Sequence, residues 1–268
     1  MQTKNSNLIW SVLLVVPALL FSLYVQAQSK HVKVIELRNY LLKPGQRDSF
    51  VDGFETKLLD TLNAHKNYIL GQYRVKDAKD NFVWIRGFDD MPARKQALTN
   101  FYASRHWAKN KSIPEAYLIG YTNVHLLKPL LISSKKIDSS THFDTEWFGR
   151  PKGVTIIDFF VANEMRNKLI DFVANKYDSV VRAAGVKDIS YWVCETAPNN
   201  YPNLPAFQDK NLLVSISHYN DLADYHAAVK KIRESMNEEE KFTLGRLVTT
   251  RATWTLYPTE RTFTSKRK

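Results

Sequence analysis

Cysteine is nearly absent: Cys194 is the single thiol in the chain. No intrachain disulfide can form, so the folded state must rest on its apolar core. Cys194 sits in an apolar stretch with no histidine near it in sequence, which suits a buried, inert thiol better than a nucleophile. Glycine is also scarce, with nine residues. They form no Gly-rich phosphate loop and no G-x-S-x-G nucleophile turn. The seven histidines show no spacing that would gather metal ligands, so no metal site is expected. Acidic residues are the minority charge, with 27 Asp and Glu against 38 Lys and Arg, a formal net charge of +11. The excess is spread along the chain apart from Lys266-Arg267-Lys268. No nucleic-acid recognition word accompanies it, so nucleic acid is not an expected partner. A solvated basic surface facing anionic polymers or headgroups is the plainer reading.

Long apolar runs are limited to one. Leu8–Val25 carries no charge, Lys4 precedes it, and Val25-Gln26-Ala27 offers the small residues a signal peptidase reads. Residues 1–27 are therefore expected to be a cleaved signal peptide, with Gln28 as the new N-terminus. An uncleaved anchor is the alternative, because the run approaches the length of a membrane span. Cleavage removes Lys4 and lowers the net charge by one, to +10. The mature chain is then expected to be periplasmic or secreted, and free of the membrane.

What remains has an ordinary globular composition, 44% hydrophobic and 24% charged. Val32–Leu42 alternates, so Ile35, Leu37, Asn39 and Leu41 share one face and Glu36, Arg38 and Tyr40 the other. Lys43-Pro44-Gly45 is a turn. A helical stripe follows at Phe50, Val51, Phe54, Leu58, Leu59 and Leu62. Strands are expected at Tyr68–Val75 and Asn81–Phe88, and a helix capped by Asp90 with Pro92 in its first turn. Tyr121–Ile132 is the last strand of this half, Pro129 favouring an edge or a strand end. The pattern then restarts. Strands fall at Val154–Val161, Ile189–Thr196, Leu212–Tyr219 and Thr249–Tyr257, with helical stripes from Met165 to Val181 and from Leu222 to Ile232. Gly185 is placed to end the first of these helices. Phe88-Asp89-Asp90-Met91-Pro92-Ala93 answers Tyr219-Asn220-Asp221-Leu222-Ala223-Asp224, as expected of an internal duplication. The order strand, helix, strand, strand, helix, strand, given twice, predicts an α+β fold of two tandem ferredoxin-like repeats. The first spans residues 28–132, a linker 133–152, and the second 153–268.

The words E-x-R-x-Y at Glu36–Tyr40, Leu70-Gly71 and Asp90-Met91-Pro92-Ala93-Arg94 stand in an order that resembles the NIPSNAP family. That resemblance implies the dimeric α/β-barrel superfamily, in which two antiparallel sheets pack face to face with helices outside. One chain with two repeats would supply a whole α/β barrel, as a monomer or a homodimer. The second half departs from the motif, with Ile156-Ile157-Asp158-Phe159-Phe160 in its place, so a polar site is expected mainly in the first half.

Strand parity assigns that site. With Ile35, Leu37, Val83 and Ile85 taken as helix-facing, Glu36, Arg38, Tyr40, Trp84 and Arg86 would line the barrel interior, joined by Gln72 and Arg74. Arginine forks match planar anions and aromatic walls hold a flat body. Glu36, Arg38, Tyr40, Arg74, Trp84 and Arg86 are thus the expected ligand-binding residues for a small anionic or aromatic molecule. A purely structural ion network is the competing reading. Haem-binding relatives in the superfamily place a histidine on iron, but His106, His218 and His226 lack companion ligands, so no cofactor is assigned. Parity puts His218 on the helix-covered face with Val214 and Ile216. Ala197–Lys210 reads as a turn-rich ornament, with Tyr201 and Phe207 closing a barrel mouth as the alternative. Two functions follow: a ligand-binding or scaffold protein, or a cofactor-independent oxygenase or isomerase.

Overall fold

A computed structural model describes residues 31–133, 136–138, 143–144 and 152–261. The expected leader and most of the expected linker lie outside the described residues. β1 (Val34–Leu42) is followed by a turn at Gly45, whose φ of +73° favours a residue without a side chain. Asp80 Oδ1 accepts the Gly45 N–H at 2.7 Å and fixes the turn. α1 (Arg47–Gly53) runs through a π-helical turn at Phe54–Leu58 into α2 (Leu59–Ala64), burying the stripe the spacing announced. β2 (Tyr68–Val75) and β3 (Asn81–Phe88) form a hairpin. α3 (Met91–Tyr102) starts where the Asp90 carboxylate accepts the Ala93 N–H at 2.7 Å. Two short helices, α4 (Arg105–Asn110) and α5 (Ser112–Tyr117), lead into β4 (Leu118–Ser133).

The second half repeats this plan: β5 (Val154–Ala162), α6 (Arg166–Phe172), a π-helical turn at Val173–Tyr177, and α7 (Asp178–Ala183). The π-helical turn falls in the corresponding helix of each half. Gly185, at φ +102°, stops α7. β6 (Ile189–Cys194) and β7 (Leu212–Tyr219) follow, then α8 (Leu222–Ser235), α9 (Glu238–Leu247) and β8 (Val248–Pro258). Asp221 caps α8 by accepting the Asp224 N–H at 2.9 Å, the counterpart of Asp90. α9, opened by a capping box of Asn237 and Glu240, is an element the sequence pattern did not announce.

The strands pair in the order β1-β3-β2-β8-β5-β7-β6-β4, and β4 returns to β1, closing an eight-stranded antiparallel barrel. Each half supplies its four strands in the ferredoxin-like order 4-1-3-2. The joints between halves are short: Tyr73–Val75 against Leu256–Pro258, and Leu127–Leu130 against Tyr191–Cys194. Pro129 lies in this second joint, beyond the last β1 partner of β4 at Leu127, where its missing N–H costs no β1 ladder bond.

Parity separates the residues as expected, but the two faces are exchanged. Ile35, Leu37, Val83 and Ile85 point into the barrel, where they meet Ile157, Val214, Ile216, Trp192 and Leu256 from the other half. Tyr40, Phe82 and Trp84 pack outward beneath the helices, against Phe50, Phe54, Leu59 and Phe101. The reason is volume. An eight-stranded barrel is just wide enough for its own side chains to fill, and branched aliphatics from both halves fill this one. The sheet–helix layer of the first half takes Tyr40, Phe82 and Trp84, while Tyr73, Phe159 and Trp192 join the aliphatics inside the barrel. His218 moves with the exchange: it lies on the inward face with Val214 and Ile216, where its Nδ1 meets the Thr155 hydroxyl at 2.9 Å.

Candidate functional site

The row Glu36, Arg38, Tyr40 therefore lies between the first-half sheet and its helices, not in the barrel interior. Glu36 is fully buried, and three guanidiniums converge on it. Arg86, directly across the ladder, approaches Glu36 Oε2 with Nε at 2.9 Å and Nη2 at 2.7 Å. Arg38 Nη1 donates to the same oxygen, and Arg38 Nε donates to the Tyr40 hydroxyl at 3.1 Å. Arg94 descends from α3 and donates from Nε to Glu36 Oε1 at 2.7 Å. Arg38, Arg86 and Arg94 are themselves at most 1% exposed. Trp84 forms the aromatic base, its ring 5.4 Å from the Arg38 guanidinium and 5.2 Å from that of Arg86.

Arg94 was missed as a site residue, although its signal was present. It stands three and four residues before Ala97 and Leu98, on the buried stripe of α3. A cation on such a stripe needs a buried partner. Asn67 closes another side, accepting from Arg86 Nη1 at 3.4 Å and donating to the Ala97 carbonyl at 3.3 Å. Arg74, by contrast, does not join the cluster. It sits at the end of β2, one third exposed, and pairs with Asp48 at 2.9 Å. Gln72 shares the outward face but donates to the Arg261 carbonyl at 3.2 Å.

The loop expected to be ornament covers this site from the second half. Arg94 Nη1 donates to Asn199 Oδ1 at 3.0 Å and to Asn200 Oδ1 at 2.8 Å. Tyr201 stacks on Tyr102 of α3 with centroids 5.9 Å apart, and Leu204 packs against the cluster of Phe88, Ala97 and Leu98. Gln208 braces the loop from within by donating to the carbonyls of Glu195 and Ala197 at 2.8 and 2.7 Å. Phe207 rests on His125, 5.6 Å between centroids, at the open side of β4. Sequence separation concealed this role, since Arg94 and Asn200 are 106 residues apart.

The electrostatics are lopsided. Three guanidiniums, which stay protonated in proteins, face one carboxylate, leaving two positive charges in excess. Burial alone would push the Glu36 carboxyl up, but Arg86, Arg38 and Arg94 outweigh it and hold it well below the usual carboxylate range. Burial pushes the Tyr102 hydroxyl up despite the nearby guanidiniums, so it contributes no negative charge. Burial also pushes Arg94 down, and Arg86 and Arg38 add to that push against the support of Glu36. Two buried donors, Arg94 Nη2 and Trp84 Nε1, have no acceptor among the described residues. The equivalent place in the second half is apolar, with Ile156 for Glu36 and Phe160 for Tyr40. Asp158 stands where Arg38 would, bonded to the Thr253 hydroxyl at 2.6 Å. Among the described residues no group of three or more His, Cys, Asp or Glu is arranged to hold a metal ion.

A candidate monooxygenase from Lactobacillus acidophilus superposes with a TM-score of 0.55 at 13% identity, covering 85% of this chain and 94% of its own. A candidate monooxygenase from Fusobacterium nucleatum gives 0.55 at 10% identity, covering 85% and 92%. An anthrone oxidase-like protein gives 0.51 at 13% identity, covering 87% and 92%. At these identities the likeness is one of fold. No curated protein sequence matches the chain. The NIPSNAP family model matches residues 35–134, which contain Glu36, Arg38, Arg86 and Arg94. The first repeat of this barrel is thus the part that matches the NIPSNAP family model, and the second repeats its ferredoxin-like plan to complete the barrel.

Proposed function

We propose that this protein binds a small organic anion of the carboxylate class at the arginine cluster, beneath the cover formed by Asn199, Asn200 and Tyr201. The observation that carries the reading is the unbalanced buried charge. Isolated buried cations are costly unless paired, and here two are in excess while Arg94 Nη2 and Trp84 Nε1 lack acceptors. An oxyanion accepting from Arg94 Nη2 would satisfy that donor and offset one charge. The binding place is the sheet–helix layer rather than the barrel interior, which its own side chains fill. Entry requires the loop to lift off Arg94, exchanging the two amide contacts for ligand oxygens.

The oxygenase or isomerase reading rests on fold analogy alone, and one fold hosts many activities. A proton-abstracting mechanism also needs a base near neutral pH. Glu36, held ionised by three arginines, has lost that basicity. Export by the leader, and action in the periplasm or outside the cell, belong to the same proposal.

Native mass spectrometry of the mature protein purified from its own cells tests the reading. A retained acid is expected in the wild type and absent in Arg94→Gln. With apo protein, millimolar benzoate should raise the melting temperature of the wild type and leave Arg94→Gln unchanged. A clean apo mass together with no stabilisation by benzoate would reduce the cluster to a structural network.

A further inference from the structure

The sheet–helix layer of the second half carries its own buried cluster, with Phe160, Tyr177 and Met236 among its members, and the surface of that cluster is indented. A cleft of about 480 Å³ opens between α8, α9 and the outer face of β5 and β8. Its size falls within the range of small-molecule sites. Phe160 and Tyr177 form the floor, and Ile232, Met236 and Leu244 the walls. The rim carries charge of one sign: Arg233, Lys241 and Arg251 line the cleft, and no acidic residue does. Of these, Lys241 is committed to Glu238 at 2.8 Å. Arg251 reaches Asp158 only at 3.5 Å and lies over the Phe160 ring at 5.1 Å. Arg233 is exposed and makes no ion pair among the described residues. An apolar trough with two lightly engaged guanidiniums at its mouth complements one chemistry, an alkyl chain ending in an anion.

We propose that this cleft is a binding site for a medium-chain aliphatic carboxylate, its chain laid along Phe160, Ile232, Met236 and Leu244 and its carboxylate held by Arg233 and Arg251. The site shares no residue with the arginine cluster of the first half. Gly245 provides a way to close it. The residue lines the cleft from α9, and a Cβ added there meets no atom within 4 Å. A larger side chain enters open space, and replacing a helical glycine does not weaken the helix.

The experiment is calorimetric titration of the delipidated mature protein with decanoate and, separately, with decan-1-ol, both below their aggregation limits. The wild type should bind decanoate at least tenfold more tightly than the alcohol. Gly245→Trp should weaken decanoate at least tenfold, and Arg251→Met should bring decanoate down to the level of the alcohol. No decanoate binding, equal binding of acid and alcohol, or binding lost in Arg94→Gln but kept in Gly245→Trp would each overturn the proposal. Arg233→Met, on the exposed rim, supplies the same readout should the tryptophan variant not fold.

Discussion

Glu36→Gln keeps the shape of the side chain and removes the only negative charge among Arg38, Arg86 and Arg94. Each of those guanidiniums has Glu36 as a hydrogen-bond partner, and none is more than 1% exposed. Removing one partner of a buried ion pair costs about 3–5 kcal/mol, because the remaining charge is left uncompensated. Here three cations lose their shared anion, so the upper end is expected. For a domain of this size, with roughly 2–4 °C lost per kcal/mol, the melting temperature should fall by about 10–20 °C. Urea unfolding followed by tryptophan fluorescence measures the difference. Its pH dependence identifies the cause. The folded-state Glu36 carboxyl lies below its ordinary value of 4.5, so its contribution is present above that pH and is lost as pH falls through the lower folded value. The gap between wild type and variant should therefore be constant from about pH 7 to 5 and narrow below about pH 4.5. A gap under about 1 kcal/mol at pH 7, the size of an exposed pair, would refute the account, as would a gap unchanged at pH 3.

His125 provides a separate pH window. Burial beside Phe159 and Phe207 pushes its ring down from 6.5 to about 4, with Asp209 opposing, so the unfolded chain binds the extra proton and stability should rise with pH between those values. At about 1.4 kcal/mol per unit the gain is at most roughly 3.5 kcal/mol, and His125→Gln should flatten the urea midpoint between pH 4.5 and 6.5. Asp90→Ala and Asp221→Ala each remove one helix cap and should each cost about 0.5–2 kcal/mol. Because the caps sit in different halves, the double variant should equal the sum within about 0.5 kcal/mol, and a clear excess in thermal or urea melts would mean the two helices unfold as one unit.

Much of the fold was legible along the chain. Asp90 and Asp221 stand at matching places before their helices, and the structure gives both the same extended backbone and the same cap bond. β2, β3 and β7 run over the residues their alternation marked. α9 was hidden because its buried contacts are few and its face is mostly charged, so no apolar stripe announced it. The site was half legible. Glu36, Arg38, Tyr40, Trp84 and Arg86 share one face because a strand repeats every two residues, and they do meet. Arg74 carries the right parity but stands at the strand end, where Asp48 and solvent compete for it. Parity says which residues point together. It does not say toward what.

Local patterning along the chain sets the periodic content of this protein: two passes of strand and helix, their caps and turns, and a polar row embedded in an apolar strand. These depend on backbone geometry and on neighbours within a few positions, both of which the chain carries locally. Only the assembled fold chose which face of the sheet is the barrel interior, and it brought Arg94 to Glu36 and Asn199 to Arg94. Both faces of β1 are buried, one on aliphatics and one through an ion network, so local pattern leaves the choice open. The volume inside eight closed strands resolved it, admitting Ile35 and Leu37 and leaving the ionic row to the layer where α3 and a distant loop could supply its partners.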